Sequence, residues 1–292
     1  MIRASVRNLT DYLVTVYVPS RMELSVGAIH QLAVACRQLE AFAGRPLLPA
    51  DLDEDLVRRF LSGFRSSHAA ATTNSRRRDI LAVWQNAFDE EYAEQPPRRK
   101  RIPTATANGD LPRAWSVDEV SRILAAASQD AWPIAGLPAA DWWVSFLLVL
   151  YDTGERRGAA LAVSPRDMDF EHGCILFSKT KTGRQRWCHL HSDTLAACKR
   201  LHDPMRPRMW PWPFTSNALE KRLKRILLRA KVWHPPGRLF RLFRITSGTL
   251  VEQAGGPGDK HLGNSRAVFE RHYLDRRFMP DTLQFLPRPQ VP

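Results

Sequence analysis

The sequence predicts a mainly helical protein of two domains, with one small antiparallel sheet in the second. Three observations carry this expectation. Apolar residues recur at helical spacing in most segments, a proline-broken basic stretch without periodicity runs from Gln95 to Leu111, and short alternating runs separated by glycine turns lie between Met168 and Leu190. With 292 residues, 44% hydrophobic and 25% charged, the chain is long enough for two domains that each bury a core.

The elements follow in order. Ser25 to Phe42 carries a helical stripe of Val26, Ile29, Leu32, Ala33, Cys36, Leu39 and Phe42. Asp53 opens a second helix with Leu56, Val57, Phe60 and Leu61 inward, and Gly63 is expected to follow its last turn. A third helix is expected from about Ala70 to Tyr92, with Ile80, Leu81, Val83, Trp84, Ala87 and Phe88 apolar and Arg76, Arg77 and Arg78 exposed. Residues 1–94 thus read as a helical domain, 95–111 as a linker and 112–292 as a second domain. That domain opens with the capping box Ser116/Glu119 before Val120, Ile123 and Leu124, then an apolar helix around Phe146 to Tyr151. Met168–Phe170, Cys174–Phe177 and Arg186–Leu190 alternate as strands. Helices resume over Ser192–Leu201, Ser216–Lys231 and about Phe243–Gln253, the last stopped by Gly255 and Gly256.

Charge bounds the partner. Forty-three Lys and Arg against 30 Asp and Glu give +13, which points to a polyanion through counterion release, nucleic acid first and an anionic membrane surface second. No run of 18 apolar residues occurs, and Arg7, Asn8 and Asp11 interrupt any secretory core near the N-terminus, so a cytoplasmic protein without a membrane span is expected. Candidate phosphate contacts are Arg76 and Arg77, the linker cluster Arg98, Arg99, Lys100 and Arg101, and the basic face Lys221, Lys224 and Arg225; between Pro204 and Arg244 eleven basic residues face one acid, Glu220. The four cysteines form no CxxC pair. The group Cys188, His189, His191, Cys198 and His202 matches no common zinc spacing, so no metal is expected.

Four segments in order then resemble the tyrosine recombinases of the phage-integrase type, across nearly the whole chain. Thr153-Gly154-Glu155-Arg156-Arg157 is similar to the TGLR segment, SKTKTGRQRWCHL to the lysine-bearing hairpin, RLFRITSGTLVEQAGG to the HxxR box, and HLGNSRAVFERHYLD to the LGH…Y segment. The resemblance implies a helical SAM-like core-binding domain and a mixed α+β catalytic domain. It also implies catalytic roles for Arg156, Lys181, Arg241, Arg244, Asn264 and Tyr273, with Lys179 competing for the lysine position, duplex DNA as partner, a tetramer on two duplexes and no cofactor. Two guanidiniums suit an anionic phosphodiester that gains charge on attack, and Tyr273 suits a nucleophile that conserves the bond energy as a 3′-phosphotyrosyl link.

Three positions depart from that pattern: the histidine of HxxR is Arg241, the histidine of LGH is Asn264, and the acid three residues after the first arginine is Ala159. An arginine cannot accept the tyrosine proton as a histidine can. His272 stands beside the tyrosine as a possible partial substitute. Three functions stay open: an active recombinase or integrase, a recombinase-like DNA-binding protein that has lost cleavage, and a module binding RNA or another polyanion.

Overall fold

The computed structural model describes residues 5–106, 111–178 and 185–280. The chain divides into two compact units, residues 1–109 and 110–292.

The first unit is helical. Asn8 caps α1 (Leu9–Tyr12) by accepting from the Asp11 amide at 2.7 Å, and the chain continues through a wide turn closed by the bond from Val18 N to Leu13 O. Nothing in the sequence reading anticipated this segment. Leu9, Tyr12, Leu13 and Tyr17 bury one face of it, and the Tyr12 hydroxyl donates to Asn86 Oδ1 at 2.7 Å. Ser25 caps α2 (Val26–Ala43) and Asp53 caps α3 (Glu54–Ser67). Gly63 lies inside α3 instead of ending it, because Phe64 packs onto the core and holds one more turn. The fourth helix, α4 (Ala70–Asp89), corrects the reading of its arginines. Arg76 is buried, its guanidinium donating to Gln38 and Gln31 and pairing with Asp79 at 3.5 Å. A helix face turned to the core cannot leave that side chain in solvent.

The basic stretch is attached to this unit through Ala105. Ile102 is fully buried in its core, Arg77 donates to the carbonyls of Ile102 and Arg99, and Asn74 exchanges two hydrogen bonds with Ala105.

In the second unit the Ser116/Glu119 box opens α5 (Val117–Ala127) as expected. The central α6 (Ala139–Thr153) carries Trp142, Trp143 and Phe146, all fully buried among Trp210 and Phe240. Truncating such an aromatic costs about 3–5 kcal/mol, so this cluster fixes where the ends of α6 point. After α7 (Arg157–Ala162) come β1 (Met168–Asp169), β2 (Cys174–Phe177) and β3 (Arg186–His189), an antiparallel sheet in that order, with Ile175 opposite Cys188. The helices α8 (Ser192–Leu201), α9 (Ser216–Arg229), α10 (Phe240–Gln253), α11 (Gly258–His261) and α12 (Arg266–His272) complete the unit. The start of α10 three residues before the expected Phe243 places Arg241 on the same helix as Arg244.

Among the described residues no helix is long and apolar enough to cross a membrane, and no group of three or more His, Cys, Asp or Glu side chains gathers as a metal site. All four cysteines are buried free thiols.

Candidate active site

The site is built at the C-terminal end of α6. Its last turn closes on Gly154, which adopts φ of 57° and lies so close to Leu262 that a Cβ would collide with it and crowd Ser247. The next residue, Glu155, is 4% exposed and turns its carboxylate back onto the Arg156 amide at 2.8 Å. Arg156, half-buried, stands at the N-terminus of α7; among the described residues its guanidinium hydrogen-bonds no protein acceptor.

Helix α10 contributes Arg241 and Arg244, three residues apart and so on one face. Arg244 is 2% exposed and donates to the carbonyls of Gly154 at 2.6 Å and of Leu262, with Asn264 Oδ1 at 3.4 Å from the same fork. Burial pulls its pKa below the ordinary value, the neighbouring Arg156 charge adds to this, and Tyr273 and Glu155 oppose it. Arginine remains a cation throughout the working range.

Close approach brings the last segment in. A Cβ on Gly248 of α10 would strike Leu262 and Phe269, and one on Gly258 of α11 would strike Phe269 and the Gly248 carbonyl, so α11 and the loop after it lie on α10. Tyr273 follows α12, its backbone carbonyl held by Thr249 Oγ1 at 3.0 Å and its amide by Phe269 O at 2.8 Å. Its half-buried ring has the Arg244 guanidinium carbon 5.0 Å and that of Arg241 5.5 Å from its centroid. Arg241 also donates to the His272 carbonyl at 2.9 Å, and His272 itself is exposed.

Two polar atoms here lack partners. Arg244 Nε and Asn264 Nδ2 are buried donors with no hydrogen-bond acceptor among the described residues. A buried donor left unpaired costs about 1–3 kcal/mol, more when charged, so two in one pocket point to an acceptor brought by a ligand.

The expected residues Arg156, Arg241, Arg244, Asn264 and Tyr273 therefore converge, and Lys181 lies outside the described residues, as does its competitor Lys179. Sequence reasoning missed Glu155, Arg186, Ser247 and His261. Glu155 sits inside the quoted Thr-Gly-Glu-Arg motif and puts a carboxylate beside the site where Ala159, buried and apolar, does not. His261 directly precedes the Leu-Gly pair; its Nε2 meets Ser247 Oγ at 2.7 Å. Burial, with Arg186 and Arg244 close by, pushes its pKa down to about 4, so the ring is neutral near pH 7.

No family model matches the sequence, and no curated protein matches it. Solved structures do. A lambda integrase dimer bound to a COC′ core site matches with a TM-score of 0.67 at 15% identity, over 89% of this chain and 93% of that one. The Tn1549 transposon integrase in complex with a circular intermediate DNA gives 0.70 at 13% identity, over 92% and 95%. XerH site-specific recombinase bound to difH substrate gives 0.65 at 18% identity, over 90% and 81%. The chain has a tyrosine-recombinase fold.

On this tyrosine-recombinase fold the expected phosphate contacts fall into three groups. Arg76 and Arg77 are bound internally, as described above. Arg98 and Arg101 are exposed but lie 3.8 and 3.5 Å from Glu54, with Arg99 and Lys100 exposed between them. Lys221, Lys224 and Arg225 project from α9 into solvent, opposite the buried Leu219, Leu223, Ile226 and Leu227. Their neighbour Arg222 is instead held by Asp130 at 2.8 and 3.0 Å.

Proposed function

We propose that this chain cuts and rejoins duplex DNA through a 3′-phosphotyrosyl intermediate, in an integrase, transposase or resolvase role. The observation that carries the reading is the pair of unpartnered buried donors, Arg244 Nε and Asn264 Nδ2, beside a phenol flanked by Arg241 and Arg244. A phosphodiester offers non-bridging oxygens to both donors and to Arg156, and its charge suits the cations around it.

The chemistry follows from the residues. Tyr273 Oη forms a bond to phosphorus while the bond from phosphorus to the 5′ oxygen breaks. The strand end stays attached through its 3′ phosphate, and the departing 5′ oxygen takes a proton, for which Lys181 is the proposed donor. Arg156 and Arg244 hold the charge that builds on the non-bridging oxygens. Arg241 replaces a proton-accepting histidine with a cation that stabilises the phenolate as its proton passes to water. Attack by a 5′-hydroxyl on the phosphotyrosine reverses the step, so the bond energy is kept and no nucleotide cofactor is consumed.

The neighbours in fold include a lambda integrase tetramer bound to a Holliday junction, and we extend that arrangement to this chain as a tetramer on two duplexes, working in the cytoplasm. Exposed Lys221, Lys224 and Arg225, with Arg99 and Lys100, are the proposed backbone contacts.

The substitutions at Arg241 and Asn264 favour one other reading, a chain that binds DNA without cutting it, since general acid–base help is worth about 10²–10⁴-fold. A nicked suicide duplex taken from the DNA flanking the chain's own gene separates the two. The enzyme is trapped as a covalent adduct that survives denaturing electrophoresis, and Tyr273→Phe abolishes the adduct. A chain that shifts the duplex in a native gel but yields no adduct is the non-cutting protein.

A further inference from the structure

A second guanidinium copies the bonding of Arg244 one residue away. Arg186, the first residue of β3, donates from Nη2 to the Thr153 carbonyl at 2.9 Å and from Nη1 to the His261 carbonyl at 2.8 Å. Arg244 donates to the next carbonyl in each segment, Gly154 and Leu262. Two forks therefore join the same two pieces of backbone, the end of α6 and the end of α11, through consecutive carbonyls. These are the acceptors a helix leaves unpaired at its C-terminus, where partial negative charge collects and a cation is favoured.

The two arginines differ in what remains free. Every nitrogen of Arg186 is engaged, Nε donating to Cys188 Sγ at 2.9 Å, and Glu155 Oε1 stands 3.9 Å from Nη1. Arg244 keeps Nε without an acceptor. A fully engaged fork has little left to offer a phosphate, but it determines where its acceptors sit. Those acceptors frame the site: Thr153 and Glu155 precede Arg156, and His261 precedes Asn264, with the Ser247 bond to the His261 ring holding the same loop from α10.

We propose that Arg186 is a positioning residue: it joins the sheet to the Thr153–Arg156 turn and the His261–Asn264 loop, and so sets the separation of Arg156 and Asn264 around the bound phosphate. This rests on the reading of that pocket as a phosphate site. Charge alone does not do this work. A lysine has no planar fork, so it cannot span two carbonyls in fixed directions while keeping the cation beside Glu155.

The test uses the full chain and two variants, Arg186→Lys and Arg186→Gln. Inorganic phosphate is titrated while the Nε–H resonance of Arg244 is followed, and adduct formation on the nicked duplex is timed at saturating DNA. The wild type is expected to show a saturable phosphate shift. Both variants are expected to bind phosphate about tenfold or more weakly and to form adduct about 100-fold more slowly, since a displacement near 1 Å costs that much. Their affinity for duplex DNA falls by no more than about tenfold, because the other backbone contacts proposed above lie elsewhere. Arg186→Lys is the decisive variant, as it keeps the charge and so the fold if Arg186→Gln loses it. Phosphate binding and adduct rates in Arg186→Lys equal to the wild type overturn the proposal and leave the phosphate-site reading standing. A wild-type chain that takes up no phosphate at Arg244 overturns both.

Discussion

In the first unit Arg76 and Arg77 are consumed by the unit's own packing while Arg78 stays exposed, whereas in the second unit the buried Arg244 keeps a donor that no atom of the described residues takes. Arg76 finds two glutamine oxygens and Asp79 within its reach. Arg244 meets backbone carbonyls, a phenol ring and a second cation, Arg156. The first environment matches every positive charge with protein acceptors, and the second accumulates charge and leaves donors over. Burial therefore does not by itself mark Arg244 as a proposed phosphate ligand; its spare donor beside Asn264 Nδ2 and Tyr273 does.

Tyr273→Phe removes the only oxygen proposed to attack, and adduct on the suicide duplex should fall to background while gel-shift affinity is kept. Arg244→Lys, which keeps the cation but loses the fork, should slow adduct formation by about 10²–10³-fold at saturating DNA, the usual cost of a lost oxyanion donor. If its rate matched wild type, the leftover donor would have no role.

Arg76→Met should act oppositely. It strands Gln31 and Gln38 and leaves Asp79 only the exposed Arg78 as a partner, so chemical denaturation should show a loss of about 1–3 kcal/mol, while adduct rates of the remaining folded protein stay unchanged. Weakened DNA binding without a stability loss would return Arg76 to the nucleic-acid surface. A smaller effect belongs to the exposed face of α9. Lys224→Gln should lower the slope of log affinity against log salt by about 1, uniformly across duplex sequences, as for one lost phosphate contact.

The last prediction concerns pH. His261 has its folded pKa pushed down to about 4 from an ordinary 6.5. Between those values the unfolded chain binds the extra proton, so its contribution to stability is present above about pH 6.5 and is lost as the pH falls toward 4. His261→Gln should flatten the dependence of denaturation midpoint on pH in that window relative to wild type; an equal slope would show that the ring is not buried uncharged.

Helix periodicity, capping residues and glycine turns are local properties, and they placed most elements within a few residues: the Ser116/Glu119 box, the Asp53 cap and the strand Cys174–Phe177 all stand where the pattern puts them. The order of the four motifs likewise pointed to Arg156, Arg244 and Tyr273 before any geometry was known. The first helix, the turn of α3 beyond Gly63 and the start of α10 at Phe240 were not legible, because each is held by packing from distant residues.

Short-range preferences and the identity of the reactive groups can be read along the chain. Which cations are consumed by protein acceptors and which keep a spare donor is settled only on folding. Arg76 and Arg244 carry the same side chain on similar helices; a motif sets Arg244 apart, but neither periodicity nor charge tells which of the two forks is fully paired. The distinction arises from the acceptors that come from far along the chain: Gln31 and Gln38 for one, the carbonyls of Gly154 and Leu262 for the other. Hydrogen-bond satisfaction in a buried pocket depends on all the segments that meet there, so it exists only once the chain has folded.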